Sequence, residues 1–526
     1  MFGNRSARNQ GHRRNHDLSE NRRSASLPPN YGRNRLGIVA RAGNGVVYFA
    51  NDIRPTDMNS NCITALLAFL LLLRPAFAQI EMNGGKFDIH FERSFRSHAT
   101  VLGATDELLF VSDVGTDPAD TRPQQGIARI TDDGSVLGYD PRGRQTQIRL
   151  VVCSRRTGET LHTFSGPVTR KPRVSGFELP LTSPPVMVDD GFVFLTADWR
   201  LQRIRLPCAG AGENATTLWD LDLPVITKLT PLVNDDIGYI LPGVTKCGDA
   251  LVFTFNSSPA AATAPFQLNL AIVGAADGKL RHLIPLGPAG ALDCSPTCIP
   301  LADEGRFAVV TPTGDIQTFS IDGRLHRASR PITEYVPRES ARLWGGDVWN
   351  LFRLDANRLI SFAGGHPETE KGKDYPLCAV RMEPSGSIAT IWQTTRPSGF
   401  ITAPALGKNL YFRAGSELTA ISPDTGKIVW HKTIEEDSLN YAWTSPIVHD
   451  GLVYHADLDG LHVYRDGPEC VLVGKVEFSE RHTSKSKSIY APSAHAPPVI
   501  RDGVIYIGVE KTVYALKLPL FPEAGK

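Results

Sequence analysis

The chain has 526 residues, of which 41% are hydrophobic and 21% are charged. This is an ordinary globular composition with enough apolar side chains for a large core. Because 56 Lys and Arg residues balance 55 Asp and Glu residues, no global field attracts nucleic acid or an anionic membrane, and we expect no nucleic-acid partner. The 47 glycines and 38 prolines favour many turns and short strands over long helices.

The first 57 residues carry ten arginines, no lysine and four acidic residues. Such a segment buries too little apolar surface to offset the entropy of ordering it. Two interpretations remain open: residues 1–57 form a disordered Arg-rich segment, or Met58 is the true start and the preceding residues are misassigned.

An apolar run from Ile63 to Leu73 follows Met58 and precedes the small residues Ala76 and Ala78. This order is typical of a signal peptide with its cleavage site. At ~1.5 Å of rise per residue, a helix over this run spans about half of a ~30 Å bilayer core, so we expect no stable transmembrane segment. The sequence predicts a signal peptide over 58–78 and an extracytoplasmic (periplasmic or secreted) mature chain over 79–526.

Short hairpins recur along the mature chain. Four segments consist of two apolar strands around a tight turn: Pro185–Phe194, Pro404–Phe412, Pro446–Tyr454 and Pro498–Tyr506. Three of these turns are Asp-Gly, a strong hairpin signal because a type I′ turn requires positive φ. Further strand pairs meet at acidic-Gly, Thr-Gly or Ser-Gly turns around Gly158, Gly278, Gly323, Gly386, Gly426 and Gly460. One unit is therefore four antiparallel strands.

The units recur at intervals that suit propeller blades of roughly 40–50 residues. Their starts lie near Val101, Pro185, Pro231, Pro300, Leu343, Pro404, Pro446 and Pro498. The sequence predicts an all-β fold over 79–526, an eight-bladed β-propeller of four-stranded antiparallel blades, with seven blades as the alternative. We expect a strand from Phe87 to Phe91 to complete the last blade and so protect its open edge.

The element that runs from Ala420 through Asp424-Thr425-Gly426 to Trp430 resembles the tryptophan-docking repeat of PQQ-like propellers. This superfamily includes the quinoprotein alcohol dehydrogenases and the non-enzymatic outer-membrane assembly lipoprotein of Gram-negative bacteria. The resemblance implies that Trp430 packs between blades with Gly in the tight turn. Trp219 and Trp392 end strands in comparable places, and we expect them to dock likewise.

The resemblance also implies what an enzyme of this superfamily needs: adjacent cysteines, a calcium site, an Asp base and a Trp floor. No Cys-Cys pair is present, and the nearest cysteines are Cys294 and Cys298. The close acid pair Asp457 and Asp459 is explained by its turn. We therefore predict no catalytic, cofactor-binding or metal residues and no cofactor. The alternative is a divergent PQQ-dependent oxidoreductase that holds PQQ and Ca²⁺.

Other candidate chemistry favours structural roles. The glycines of 210–215 superficially fit a dinucleotide fingerprint, but a strand-like segment follows where a helix should begin. His449, His455 and His462 are expected to be ordinary hydrogen-bonded side chains, although His455 and His462 leave a ligand pair open. Seven cysteines lie in the mature chain; Cys294 and Cys298 could close a small loop, but the connectivity cannot be deduced.

Three loops interrupt the repeat, at 112–128, 256–266 and 364–376, and we expect them to form a variable binding surface. A short basic loop at 481–488 is expected to be solvated. The sequence thus predicts a monomeric, non-catalytic scaffold that binds an unknown protein or glycan on a loop-bearing face.

Overall fold

The computed structural model describes residues 39–42, 45–48, 81–82, 85–86 and most of 88–520. The gaps within 88–520 are 96–97, 117–126, 131–135, 141–145, 170–183, 197, 208–214, 231–242, 259–265, 290–295, 303–304, 333–347, 365–373, 384–386, 398–402, 415–416, 434–444, 458–459, 478–496 and 510–511. The signal peptide predicted over 58–78 lies outside the described residues. Among the described residues, no helix combines the length and the hydropathy needed to cross a membrane.

The chain divides into two compact units, Met1–Phe77 and Ala78–Lys526. In the first unit the described part is one antiparallel hairpin, Val39–Ala42 with Gly45–Tyr48. The assignment of residues 1–57 as disordered or misassigned stays a prediction.

The second unit is an eight-bladed β-propeller with four-stranded antiparallel blades, which confirms the predicted fold class. Blades 1 to 4 consist of His98–Ala104, Leu108–Thr116, Thr146–Ser154 and Thr160–Thr169; Val186–Val188, Gly191–Leu195, Arg200–Arg205 and Thr216–Asp222; Thr245–Cys247, Ala250–Ser257, Gln267–Gly274 and Leu280–Pro288; and Ile299–Pro300, Arg306–Val310, Ile316–Ser320 and Leu325–Ser329. Blades 5 to 8 consist of Val348–Arg353, Arg358–Gly364, Asp374–Met382 and Ile388–Pro397; Ala405–Leu406, Leu410–Ala414, Glu417–Ile421 and Ile428–Thr433; Ile447–His449, Leu452–Asp457, Gly460–Arg465 and Leu472–Glu477; and Val499–Arg501, Val504–Val509, Thr512–Lys517 and Ile89–Ser94.

Three further elements decorate the ring. The hairpin Ile127–Ile130 with Val136–Asp140 lies between the second and third strands of blade 1. The short strands Glu81–Met82 and Gly85–Lys86 extend the outer edge of blade 7. A one-turn helix, Leu223–Thr227, follows the outer strand of blade 2.

The strand order gives the propeller two different faces. First strands of neighbouring blades contact each other, for example between blades 3 and 4 and between blades 8 and 1, so the first strands surround the axis. Because all pairings are antiparallel, the turns that join strands 1–2 and 3–4 lie at one end, which we call the short-turn face. The connections between strands 2–3 and between blades lie at the opposite end, the long-loop face.

The hydrophobic core lies between the blades. Every residue of Gly191–Leu195 and of Ala250–Ser257 is buried, because each second strand has one blade surface in front of it and another behind. Phe253, for example, packs in one cluster with Val193 and Leu201 of the preceding blade. Apart from the buried polar residues Thr254, Asn256 and Ser257, both faces of these strands are apolar, so they lack the alternation of a half-exposed strand.

Blade 8 closes the ring with a strand from the start of the unit. Ile89–Ser94 pairs with Thr512–Lys517, and Phe91 lies opposite Ala515. The expected closing strand is thus present, two residues later than predicted. Ion pairs Arg501–Asp106 and Arg155–Asp502 cross the seam between blades 8 and 1.

Seven of the eight predicted blade starts lie within five residues of the observed ones. The prediction for blade 3 was wrong, because its first strand begins at Thr245 rather than near Pro231. The hairpin turn of that blade is at Gly248, where φ is +55°, and it lacks the Asp-Gly order that marks the clearer copies.

In each blade the pairing register between the third and fourth strands shifts near the start of the fourth strand. One residue of the fourth strand lies directly beside this shift. We call this the docking position. From blade 1 to blade 8 it is occupied by His162, Trp219, His282, Arg327, Trp392, Trp430, Gly474 and Phe91.

The docked rings contact the next blade, as expected for Trp219 and Trp392. Trp392 lies on Gly426, where an added Cβ would be 2.5 Å from the indole, and its Nε1 donates to the Pro423 carbonyl at 2.9 Å. Trp219 lies on Gly278 in the same way. Both glycines have positive φ, +70° and +65°, so the tight turn and the close ring contact each require glycine.

Trp430 also packs between blades, but Gly426 of its own motif contacts Trp392, the indole of the preceding blade. Trp430 is 9% exposed and donates its Nε1 to the Gly467 carbonyl of blade 7 at 3.2 Å. Tyr411 and Tyr464 flank it with ring centroids at 5.7 and 6.5 Å. Each motif therefore contributes a turn to one blade interface and a ring to the next.

Candidate functional site

The three histidines of blade 7 do not meet at one point. His449 lies at the short-turn face, where its Nε2 is 3.2 Å from a carboxylate oxygen of Asp450. His455 and His462 lie directly opposite each other in the second and third strands, with ring centroids 6.5 Å apart. The structure thus separates the exposed histidine from the two buried ones.

An interior polar cluster surrounds His455 at the interface of blades 6 and 7. Arg413 and His455 are fully buried, and His462 is 7% exposed. The guanidinium of Arg413 is hydrogen-bonded to Nε2 of His455. Because a guanidinium can only donate, this imidazole nitrogen must accept and has no lone pair left for a metal. The contact favours a structural role over the ligand pair.

His455 occupies a position that is apolar in several other blades. By strand register, His455 corresponds to Phe194, Phe253, Phe412 and Ile507. Since polar atoms in such positions need specific partners, the cluster sets how blade 7 sits against blade 6.

The other predicted residues form no metal centre in the described part of the chain, where no group of three or more His, Cys, Asp or Glu residues could hold an ion. Asp457 ends a strand opposite Gly460, and Asp459 lies outside the described residues. Cys298 is a fully buried free thiol whose pKa is raised by burial. Cys294, with which it could close a small loop, lies outside the described residues, so that pairing stays untested.

The three predicted loops share one face. They fall between the second and third strands of blades 1, 3 and 5, and hence at the long-loop face. Their edges are strand rather than loop, because 112–116, 256–257 and 374–376 are paired. Residues 127–128 and 364 are also paired. Most of the remaining parts, like 481–488 in the connection from blade 7 to blade 8 and most of 210–215, lie outside the described residues.

The short-turn face neutralises many of its charges internally. The described ion pairs there include Arg203–Asp190, Arg281–Asp249 and Arg358–Asp424. Each such exposed pair contributes little to stability. Together they leave a surface of short hairpins with paired charges.

Trp199 forms an unusual turn at the long-loop face of blade 2. Its φ is +63° and its side chain is 6% exposed. A left-handed backbone at a bulky residue costs on the order of 1–3 kcal/mol, and the buried indole Nε1 has no hydrogen-bond partner among the described residues. Two unfavourable features are therefore maintained at one turn.

This turn anchors the helix Leu223–Thr227. The Trp199 carbonyl accepts from the Leu223 amide at 3.1 Å. Asp222 caps the helix by accepting from the Val225 amide at 3.1 Å. Leu223 and Thr227 face inward, whereas Val225 and Ile226 are 70% and 41% exposed.

Carboxylates lie near the start of this helix. Arg200 donates to Asp220 at 2.8 Å and to Asp222 at 3.1 Å, and these bonds, led by Asp220, raise its pKa. Asp198 also acts on Arg200 electrostatically, so three carboxylates accompany one guanidinium. We define the blade-2 patch as Asp198, Trp199, Asp220, Asp222, Val225 and Ile226.

Sequence reasoning missed this patch. The available signal was Asp222 before Leu223-Pro224, an N-cap residue followed by proline in the first turn of a helix. A helix of only five residues contributes neither a strand repeat nor a visible helical period to the sequence pattern.

Comparison with known proteins shows only distant similarity. No protein-family model matches the chain, and no curated protein matches it. BamB from Moraxella catarrhalis is 13% identical, covering 64% of this chain and 96% of that chain at a TM-score of 0.32. Sqt1 from Chaetomium thermophilum is 12% identical, covering 84% of this chain and 98% of that chain at 0.47. Sqt1 bound to the N-terminus of ribosomal protein L10 is 11% identical, covering 81% and 100% at 0.44. These similarities identify no family.

Proposed function

We propose that this chain is a non-catalytic scaffold that acts outside the cytoplasm and binds a protein or glycan through its long-loop face. The difference between the two faces carries the proposal. One face is closed by short hairpins with paired charges, whereas the other bears the long connections and an exposed apolar pair. Variable connections on a rigid ring are where propellers place binding residues.

We also propose that the repeats belong to the PQQ-like class. The support is the contact of Trp219 and Trp392 with glycine turns of the following blade, in the arrangement that the Thr-Gly-x-x-x-Trp motif implies. Fold membership of this kind says nothing about chemistry. The proposed scaffold role therefore rests on the difference between the two faces of the propeller and not on the class of the repeat.

Export is supported by the apolar run before Ala76-Phe77-Ala78. Mass spectrometry of the natural protein is expected to find Gln79 as the first residue. An intact N-terminus at Met1 on a cytoplasmic protein would contradict export.

Site-specific photo-crosslinking tests the binding face. A photoreactive residue at Thr313 or Thr433, exposed positions at the long-loop ends of blades 4 and 6, should crosslink a partner from the native compartment. The same residue at Asp189 or Asp450, exposed on the short-turn face, should not. Crosslinks only from the short-turn positions, or none from any position, would overturn the proposal.

The oxidoreductase alternative is separable in the same preparation. PQQ and Ca²⁺ are added with a panel of alcohols and sugars, and dye reduction and melting temperature are followed. A scaffold without the cofactor gives no reduction and no shift, whereas either response contradicts the non-catalytic role.

A further inference from the structure

We infer that the blade-2 patch is a docking site for a partner protein segment that combines apolar and cationic side chains. The inference rests on the proposed function, because the patch lies on the long-loop face. It goes further by fixing the position of the contact and the chemistry of the occupant.

The apolar part of the patch is Val225 and Ile226. In the helix Leu223–Thr227 the inward positions are buried, so the outward positions are free to be polar, yet both are β-branched apolar residues. Val225, at 70%, is the most exposed large hydrophobic side chain in the described part of the chain. Adjacent on one helical turn, the two side chains offer a small apolar contact to a partner, next to the Asp222 carboxylate that caps the helix.

The charged residues of the patch determine which sign of charge a partner segment should carry. Asp220 and Asp222 share the single guanidinium of Arg200, and both remain about one-third exposed, at 30% and 35%. Asp198 adds a third carboxylate beside the same guanidinium. The three carboxylates outnumber the two cations, Arg200 and the exposed Lys228 that ends the helix, so lysine or arginine in a partner would meet complementary charge.

The patch is held in place before any partner arrives. The left-handed conformation of Trp199 brings its carbonyl within hydrogen-bonding distance of the Leu223 amide. Its ring packs on Phe255, with ring centroids 5.8 Å apart. Asp222 fixes the first turn of the helix. A rigid surface loses little conformational freedom on binding, which favours affinity.

Binding of model peptides tests the inference. The probes are two labelled nine-residue peptides, one alternating leucine with arginine and one alternating leucine with glutamate, and fluorescence anisotropy with residues 79–526 gives their Kd. The arginine peptide should bind, V225S/I226S should weaken it at least tenfold, and D220N should weaken it and reduce its salt dependence. The glutamate peptide should not bind.

The matched control is I428S/L472S, which removes two apolar side chains of 48% and 51% exposure from the outer strands of blades 6 and 7. It should leave the Kd unchanged. Since all four residues are partly exposed, circular dichroism should show folded proteins with similar melting temperatures.

Three outcomes overturn the inference. These are equal binding of the two peptides, unchanged binding to V225S/I226S, and self-association of the wild type that V225S/I226S abolishes, which would make a second copy the occupant. If a partner still crosslinks from Thr313 or Thr433 while V225S/I226S has no effect, the face is right and the patch is wrong.

Discussion

At the scale of single residues, one glycine and one ring determine how neighbouring blades fit. Gly426 contacts Trp392 of the preceding blade, whereas Gly451 has a similar φ of +71° and, within the described part of the chain, no atom within 4 Å of an added Cβ. Gly451 is therefore required by its turn alone, whereas Gly426 is required both by its turn and by the docked indole.

Alanine substitutions should reveal this difference. We expect G451A to lower the free energy of unfolding by about 1–2 kcal/mol, the usual cost of a left-handed non-glycine residue. G426A should lower it by ~1–3 kcal/mol more, because the added methyl group overlaps the indole. Urea unfolding followed by tryptophan fluorescence measures both. Equal losses would show that the indole moves aside without cost.

The buried pair of Arg413 and His455 gives a second prediction. R413L and H455F should each destabilise the protein by about 1–3 kcal/mol, because each removes one partner of a buried hydrogen bond. The double variant should lose less than the sum, since leucine and phenylalanine occupy the corresponding positions at the interface of blades 2 and 3, where Leu195 and Phe253 share one core cluster. A double-mutant cycle on urea unfolding measures the coupling. Strict additivity would mean that the two side chains do not depend on each other.

Sequence patterns anticipated the docked tryptophans and missed this cluster for a physical reason. Trp430 follows Thr425-Gly426 at a fixed distance within one hairpin, so the motif is local. Arg413 and His455 are 42 residues apart and lie in different blades. Their contact depends on how two registers align across an interface, which no single hairpin encodes.

At the scale of elements, the closing strand matters most. Ile89–Ser94 satisfies the edge of Thr512–Lys517 and carries Phe91 onto Gly158 of blade 1. Glu81–Met82 and Gly85–Lys86 only extend blade 7, beyond its four strands.

Two truncations should separate these elements. A chain that starts at Phe87 retains the closing strand and should melt within a few degrees of the 79–526 protein. A chain that starts at Phe95 lacks it, exposes an unpaired strand edge and should melt lower and aggregate. Differential scanning calorimetry and light scattering measure both. If the shorter chain matched the longer one, the ring would not depend on closure by this strand.

At the scale of the whole molecule, titratable groups define a pH range of stability. The Arg281 guanidinium donates to Asp249 and holds the pKa of that carboxyl below its ordinary value. The Ser320 hydroxyl does the same for Asp322. In contrast, burial raises the pKa of Cys378 and of Tyr454 to about 12.

Stability should therefore fall at both ends of the pH scale. The carboxylates stabilise the fold above their unfolded pKa of roughly 4, and that contribution is lost as pH falls through the lower folded values. The buried thiol and phenol must stay protonated in the fold, so stability declines from about pH 9, near the unfolded thiol, and is lost as pH rises through 12. Melting temperatures across pH 2–12 should show a plateau between these limits. A maximum at either extreme would contradict the assignment.

The overall architecture was the most predictable part, because eight repeats of one hairpin pattern reinforce one another. The boundary of blade 3 was the weakest part, where Gly248 follows cysteine and no Asp-Gly pair marks the turn. The helix Leu223–Thr227 was not anticipated, since a single turn carries too few residues to show a helical period.

The strand that completes blade 8 has a consequence for synthesis. Residues 89–94 leave the ribosome among the first of the propeller, but their partner, 512–517, is among the last. More than 400 residues must be translated before these two segments can pair, so every incomplete chain has a loose end. Quality-control factors that recognise exposed strand edges can thus distinguish a chain that still lacks its final blade from a finished molecule.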